Sequence, residues 1–342
     1  MTKKRKKQIK KAIELTLKLP TWLLAFIGGF LACLLLFFCI QGIRNPDFLD
    51  QIDSKLDEAE QAYLELENWL YGEESGSSIV IEPSVAEGEL RVDIIDVGQG
   101  ESILITTAEK AVLIDAGEND QGDEVLDHLR SRGIEKLDLA IGTHAHSDHI
   151  GGMDTVMKEI SVDEFWMGAM PDNLVPSTKT YTDVLEQLDI GRIPYREPEV
   201  GTQYDLGSGG ILTVIGPQGT PSDLNNCSLV CRVDFGETSF LFSGDAEESA
   251  EKAILASGVD LDVDVMTMGH HGSETSSSTA YFKAASPSYA AISCGEDNSY
   301  GHPHKATIQK LKNADVLYRR TDVNGTITFI TNGKSIDYST EK

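Results

Sequence analysis

Cysteine is scarce in this chain of 342 residues, and what there is stands badly placed for cross-linking. Of five cysteines, Cys33 and Cys39 lie in an apolar run near the N-terminus, and Cys227, Cys231 and Cys294 fall further along. Cys227 and Cys231 are four apart in a strand-like run, roughly 13 Å at strand rise and beyond disulfide reach. A disulfide framework is therefore excluded, and so are the paired thiol spacings of structural zinc sites. Basic residues are also few: 29 Lys and Arg stand against 55 Asp and Glu, a formal net charge of -26. Residues 1–44 hold nine of the 29, beside one acid, Glu14, so the remainder is more acidic still. Such a surface repels polyanions at long range and lacks the basic groove that most nucleic-acid binders display. No internal repeat of fixed period is visible.

There is one long apolar run. "TWLLAFIGGFLACLLLFFCI", Thr21 to Ile40, carries no charge. About 20 helical residues cross a ~30 Å hydrocarbon core. The run is longer than a secretory core segment, no convincing cleavage site follows, and "FLAC" before Cys33 is a poor lipobox, so it reads as an uncleaved signal anchor. The basic cluster precedes the span and acids follow it, which puts the N-terminus in the cytoplasm and the bulk of the chain outside. Five segments result: a basic cytoplasmic segment (1–20), a single-pass membrane anchor (21–43), a helical stalk (44–72), a linker rich in Gly, Ser, Glu and Pro (73–89), and a soluble domain (90–342). Apolar residues Ile52, Leu56, Ala59, Tyr63, Leu66 and Leu70 in the stalk are spaced 4-3-4-3-4. That spacing suits a helix packed on its own domain or a weak homodimer seam over 52–70.

From Leu90 short strand-like segments alternate with helical ones: "LRVDIIDV", "SILITT", "AVLIDAG", an amphipathic "DEVLDHLRSRG", then "LDLAIGT". Later strands are expected in "GILTVIG", "SLVCRVDFG", "TSFLFSGD", "VDVMTMG", "YAAIS" and "GTITFI", with helices near 246–256 and 304–314. This order indicates a layered α/β or α+β domain. Seven of eight histidines fall in three clusters at the ends of expected strands: His144/His146/His149, His270/His271 and His302/His304. The eighth, His128, reads as a surface helix residue. Imidazole is the commonest biological metal ligand, and strand-end loops are where rigid scaffolds place chemistry. In "GTHAHSDHIGG", His144 and His146 alternate and point the same way, while Asp148 and His149 begin a helix and aim at a neighbouring point. Gly151 and Gly152 allow a tight turn. The loop can thus feed two metals a few Å apart, with Asp245 of "FLFSGDAE" as the bridging candidate and His270 or His271 completing the second.

These stretches carry a resemblance. "THAHSDHIGG" is similar to the histidine-aspartate signature of the metallo-β-lactamase superfamily. Within it, "DVGQGES" (96–102), "NNCSLV" (225–230), "GDAE" (244–247), "GHHGS" (269–273) and "YGHPH" (300–304) resemble the hydrolase domain of ComEC-type competence proteins. The resemblance implies an αββα metallo-β-lactamase sandwich with metals at one edge. It also implies that Asp115 of "LIDAG" supports a ligand histidine from behind. The wider superfamily supplies the first metal with a third histidine, yet no histidine stands between His149 and His270. Asn226 and Ser228 occupy that region and are expected near metal or substrate, leaving a ligand-poor first site that takes Mn2+ rather than Zn2+ or fills only with substrate.

The expected activity is metal-assisted hydrolysis with one or two divalent ions, Zn2+ or Mn2+. His144, His146 and Asp245 would hold the first; Asp148, His149, Asp245 and His270 or His271 the second. Asp148 is also expected to act in catalysis, and His302 or His304 to donate a proton to the leaving oxygen or bind phosphate. Ser273, the hydroxyl run Thr275 to Ser278, and Tyr300 are further substrate-binding candidates, although a Ser/Thr run is as readily an ordinary polar loop. The resemblance implies a phosphodiester substrate such as DNA, while a smaller extracellular phosphodiester, a wall-polymer or choline-phosphate unit, meets less repulsion from the acidic domain. DNA would need the metals and a local patch of Lys305, Lys310, Lys312, Arg319 and Arg320. A lactone or ester hydrolase, or a non-catalytic surface DNA- or ligand-binding module, are the alternatives.

Overall fold

The computed structural model describes residues 85–342. The basic segment, anchor, stalk and most of the linker lie outside the described residues. No helix among the described residues is long and apolar enough to cross a membrane.

The strands are β1 (Leu90–Ile94), β2 (Ile103–Thr106), β3 (Ala111–Ile114), β4 (Lys136–Leu137), β5 (Leu139–Gly142), β6 (Ser161–Val162), β7 (Phe165–Met167), β8 (Tyr195–Arg196), β9 (Gln203–Gly207), β10 (Gly210–Gly216), β11 (Val230–Phe235), β12 (Thr238–Phe242), β13 (Val265–Thr267), β14 (Tyr289–Ile292), β15 (Leu317–Arg320), β16 (Ile327–Thr331) and β17 (Ile336–Thr340). One sheet runs β17-β16-β1-β2-β3-β5-β7-β8, a second β15-β14-β13-β12-β11-β10-β9, and β4 pairs β6 alone.

Burial explains the layering. Residues of β1 are buried on both faces. Leu90, Val92 and Ile94 join Phe240, Phe242, Val265 and Phe329 in a core between the sheets. A second core lies under the helices covering the first sheet, with Val125, Leu129, Met153 and Val184; a third lies under those covering the second, with Ile254, Tyr281 and Leu311. Helix, sheet, sheet, helix is the αββα sandwich. Truncating a core aromatic such as Phe240 to Ala should cost about 3–5 kcal/mol.

The outward face of β1 carries an unusual group. Asp93 is fully buried and accepts two bonds from Arg132 (2.9 Å each) and one from Thr328 (2.5 Å). His128 is not a free surface residue: its Nε2 lies 3.2 Å from the Asp93 carboxylate, because its helix packs on this face. Burial opposes the charged form of Asp93, but His128 and Arg132 outweigh it and bring its pKa down to about 2.

The topology then fixes where chemistry can sit. β3 and β5 are parallel, as are β12, β13 and β14. The loops after these strands therefore gather at one edge of the sandwich.

Candidate metal centre

The loop after β5 begins with Thr143 and carries His144 and His146 into a one-turn helix, Ser147–Ile150. Gly151 and Gly152 have ordinary helical dihedrals, so they are not there for a tight turn. They allow close approach: a Cβ at Gly151 would meet Asn119 N and Ser147 O at 2.3 Å, and one at Gly152 would meet Ala116 O at 2.4 Å. The "DVGQG" loop is used similarly, since a Cβ on Gly100 would lie 2.6 Å from Asp148 O.

Two groups of donor atoms result, each lying within 4.8 Å of one another: His144, His146 and Asp245, and Asp148, His149, Asp245 and His271. Asp245 belongs to both. His149 Nε2 lies 3.1 Å from one Asp245 oxygen, and His271 Nε2 lies 3.3 Å from Asp148 and 3.6 Å from Asp245. His144 Nε2 is 2.9 Å from His146 Nδ1 and 3.8 Å from Asp245. His270 stands aside. It lies 3.5 Å from Asp245 and 3.4 Å from Glu247, with Nδ1 on the Thr275 hydroxyl, and it belongs to neither group. Of the double histidine, the geometry selects His271.

The donor set suits a divalent cation. His149 Nε2, Asp245 Oδ1 and His271 Nε2 are buried and find no hydrogen-bond partner of acceptable geometry, despite their close spacing. Buried polar atoms are rarely orphaned without a function. Their orientation is enforced from behind. His149 Nδ1 faces Asp115 Oδ2 at 2.7 Å, and His271 Nδ1 donates to the Ser293 carbonyl at 3.1 Å, so that each ring, once neutral, presents its Nε2 lone pair to the cluster. Asp115, held at φ 58, also accepts from Thr143 N and Thr143 Oγ1, each at 2.7 Å. With its proton on Asp115, the Thr143 hydroxyl accepts from His144 Nδ1 at 3.1 Å. Two ligand candidates, His149 and His144, thus depend on one carboxylate and one hydroxyl. His270 and His271 both have left-handed backbones (φ 54 and 55), and such strain, of order 1–3 kcal/mol each, gathers at functional sites.

Electrostatics follow from burial and proximity. Burial, then the charge of His149, pushes His144 well below its usual pKa. Burial opposes a charged His149, but Asp245 and Asp115 outweigh it and hold its pKa well up. Burial likewise opposes Asp245, yet His149 and His271 hold it well down. Asp148 is kept ionised, with burial outweighed by the adjacent His271 and by His149. The thiols are kept neutral by burial, up to about 11 for Cys227 and about 12 for Cys231 and Cys294, so none is a thiolate ligand.

Several expected substrate contacts are turned inward. Asn226 Oδ1 accepts from Glu247 N and Ala250 N at the start of the helix Glu248–Ser257, and its Nδ2 donates to Asp223. Its polar atoms serve an otherwise open helix end. Ser228 is fully buried; its Oγ accepts from Asp245 N at 3.1 Å and lies 3.3 Å from His144 Nδ1, so it supports ligands rather than substrate. Ser273 is bonded to Thr275, Ser277 accepts from Gly269 N, and Ser278 caps the helix Thr279–Ala285, which makes this run structural. His304 Nδ1 accepts from Glu274 N at 2.9 Å, anchoring the same loop. His302 stacks on His271 (6.1 Å, 28°), its Nδ1 has no partner, and burial with His271 and His270 lowers its pKa to about 4. The cationic patch is largely engaged: Lys310 donates to Ser277 O, Arg319 to Tyr338, and Arg320 pairs with Asp322.

Glu101 escaped sequence reasoning. Its carboxyl lies with Asp115 and His149 in a third donor group, one oxygen is buried without a partner, and burial raises its pKa to about 7. Its signal was its place inside the "DVGQGES" stretch.

The two facing sheets, the edge loops and this donor set define a class. A sequence profile of the metallo-β-lactamase superfamily matches residues 95–296, and the chain belongs to that superfamily. Among curated proteins it is similar to ComE operon protein 3 of Bacillus subtilis, at 30% identity over 262 residues covering 71% of this chain and 33% of that protein. It is similar also to competence protein ComA of Neisseria gonorrhoeae, at 30% identity over 249 residues covering 72% of this chain and 33% of that one. The chain thus spans about a third of the length of these relatives. Among solved structures it resembles the metallo-β-lactamase fold protein YhfI of Bacillus subtilis, at 12% identity and a TM-score of 0.45, covering 69% of this chain and 98% of that one.

Proposed function

We propose that this chain is a metal-dependent phosphodiesterase of the competence-protein type, a nuclease displayed outside the cell by the anchor at 21–43. The observation that carries the reading is the convergence of unpartnered donors from both sheets on Asp245. His144, His146 and Asp245 would hold one ion, and Asp148, His149, Asp245 and His271 the other, Zn2+ or Mn2+. When bound, such ions supply Lewis acidity toward a water and a phosphoryl oxygen. Asp148, kept ionised and partly open to solvent (21%), is too weak a base to do more than hold an ion and orient the attacking water, whose proton the ions would make acidic. His302, neutral near pH 7, can hold a hydrogen bond at a phosphate oxygen. Because so much of the cationic patch is engaged internally, attraction for a phosphate must come mainly from the ions. The similarity to competence proteins favours a phosphodiester over a lactone.

The test is a metal-by-substrate matrix on the full chain, with Zn2+ or Mn2+ against single- and double-stranded DNA, a chromogenic phosphodiester, a choline-phosphate ester and a lactone. Phosphodiester cleavage that disappears in folded Asp148→Asn is expected. Activity confined to the lactone, or fewer than one bound ion per chain with no hydrolysis, would refute the reading, the latter in favour of a surface binder.

A further inference from the structure

A line of rings leads outward from the metal centre. His302 lies against His271 at 6.1 Å and 28°, and Tyr300 lies against His302 at 5.6 Å and 21°. Tyr300 is 63% exposed, whereas His302 is buried and its Nδ1 has no partner. The exposed ring is not on a loose loop. Asn298 Oδ1 accepts from Tyr300 N at 3.2 Å and His302 N at 2.9 Å, and Asn298 Nδ2 donates to Gly295 O and His302 O. Gly295 N in turn donates to Gln99 Oε1, tying this segment to the "DVGQG" loop beneath the centre. One flat aromatic face is therefore held open to solvent in a fixed position, two ring spacings from a ligand candidate.

We propose that Tyr300 is a stacking platform for a nucleobase, so that the substrate is single-stranded nucleic acid whose phosphate reaches the donor cluster while a neighbouring base lies on the Tyr300 ring. This rests on the phosphodiesterase reading and narrows its substrate class. The physical case has three parts. Every base has a π-face, so one fixed ring serves any sequence. Stacking carries no charge and so works on a domain whose net charge repels the polymer backbone. In a duplex the base faces are covered by their neighbours, so an unpaired strand is required. A quaternary ammonium such as choline is recognised by a cage of several rings about one point, whereas the edge-on rings of His270 and His304 pack on His302 and not on the open face of Tyr300.

The experiment is an anisotropy titration of the full chain, loaded with Mn2+, against a labelled, cleavage-resistant phosphorothioate oligo(dT) and an abasic phosphorothioate oligomer of equal length. Wild type should prefer oligo(dT) by about tenfold, within the range that base-aromatic stacking supplies. Tyr300→Ala should bring that ratio to about one, and Tyr300→Phe should preserve it. Equal affinity of wild type for both oligomers overturns the proposal. So does a preference retained in Tyr300→Ala, or tighter binding of duplex DNA or of a glycerol-phosphate oligomer than of oligo(dT). A base preference erased by Tyr300→Ala in a chain that cleaves no phosphodiester sustains the platform and sinks the hydrolytic reading. Cleavage without base preference does the reverse.

Discussion

Asp115 offers the sharpest test of how the centre is held. Its Oδ1 accepts from Thr143 N, and its Oδ2 serves both Thr143 Oγ1 and His149 Nδ1, all at 2.7 Å. Asp115→Asn keeps size and tolerates the left-handed backbone at φ 58, which Asn visits readily. The amide cannot satisfy all three donors. With its NH2 toward Thr143 N, two donors face each other in a buried space. With its NH2 toward His149, the imidazole must accept at Nδ1 and carry its proton on Nε2, the atom aimed at Asp245. Either way, one buried group loses its partner, a penalty of about 1–3 kcal/mol. Loss of such an outer partner typically lowers metal affinity by about 10–100-fold. Calorimetric titration of the metal-stripped full chain with Zn2+ and Mn2+, checked by chelator competition and circular dichroism, measures this. A folded Asp115→Asn that binds metal within about twofold of wild type would show that Asp115 does not orient the ligand, and the tautomer argument would fail.

Metal should bind in two steps, the four-residue group filling before His144, His146 and Asp245, and an isotherm of equal sites would contradict the ligand count. His271→Ala should lower affinity by about tenfold or more, and His270→Ala should leave it within a few-fold, because His270 belongs to neither group; the reverse order by the same titration would reassign the ligand. Asp93 should support stability through its depressed pKa: the contribution is full above the unfolded value of 3.8 and is lost as pH falls through about 2, amounting to ~2 kcal/mol. Urea unfolding should show Asp93→Asn well below wild type at pH 6, by about 3–5 kcal/mol because Arg132 is left buried and unpaired, with the gap narrowing toward pH 3; a gap independent of pH would assign the effect to packing.

Much of the fold was legible because short buried strands announce themselves as apolar runs. β1, β5, β10, β12 and β14 lie within the runs read from sequence. The edge strands β8, β15 and β17 did not announce themselves, since their residues are largely exposed or half-buried and carry no alternation. The helix Lys179–Gly191 passed unnoticed among polar residues that bury only Tyr181, Val184 and Leu188. At the site, residue type and spacing revealed which side chains can hold a cation. They could not separate His270 from His271, because that depends on two successive left-handed residues that aim the rings apart. Nor could they show that Asn226 and Ser228 face inward, since a helix start and the Asp245 backbone claim them only once the chain has folded.

An ion held by this cluster would also be a structural device. His144, His146, Asp148 and His149 come from the first sheet, whereas Asp245 and His271 follow strands of the second. Without a cation, the cluster places buried donors against one another, with Asp245 meeting imidazoles from both sides. The unfolded chain offers no such convergence, so an ion bound here would favour the closed sandwich, by about 2.7 kcal/mol at a free ion concentration of 100 Kd. The four-residue group spans both sheets through His149, Asp148 and His271, and Asp245 adds the same bridge to the three-residue group. Shortening the four-residue group's ligand set would therefore loosen the sheet-to-sheet clasp. On the proposed reading, loss of an ion from the three-residue group would leave the four-residue group to span the two sheets.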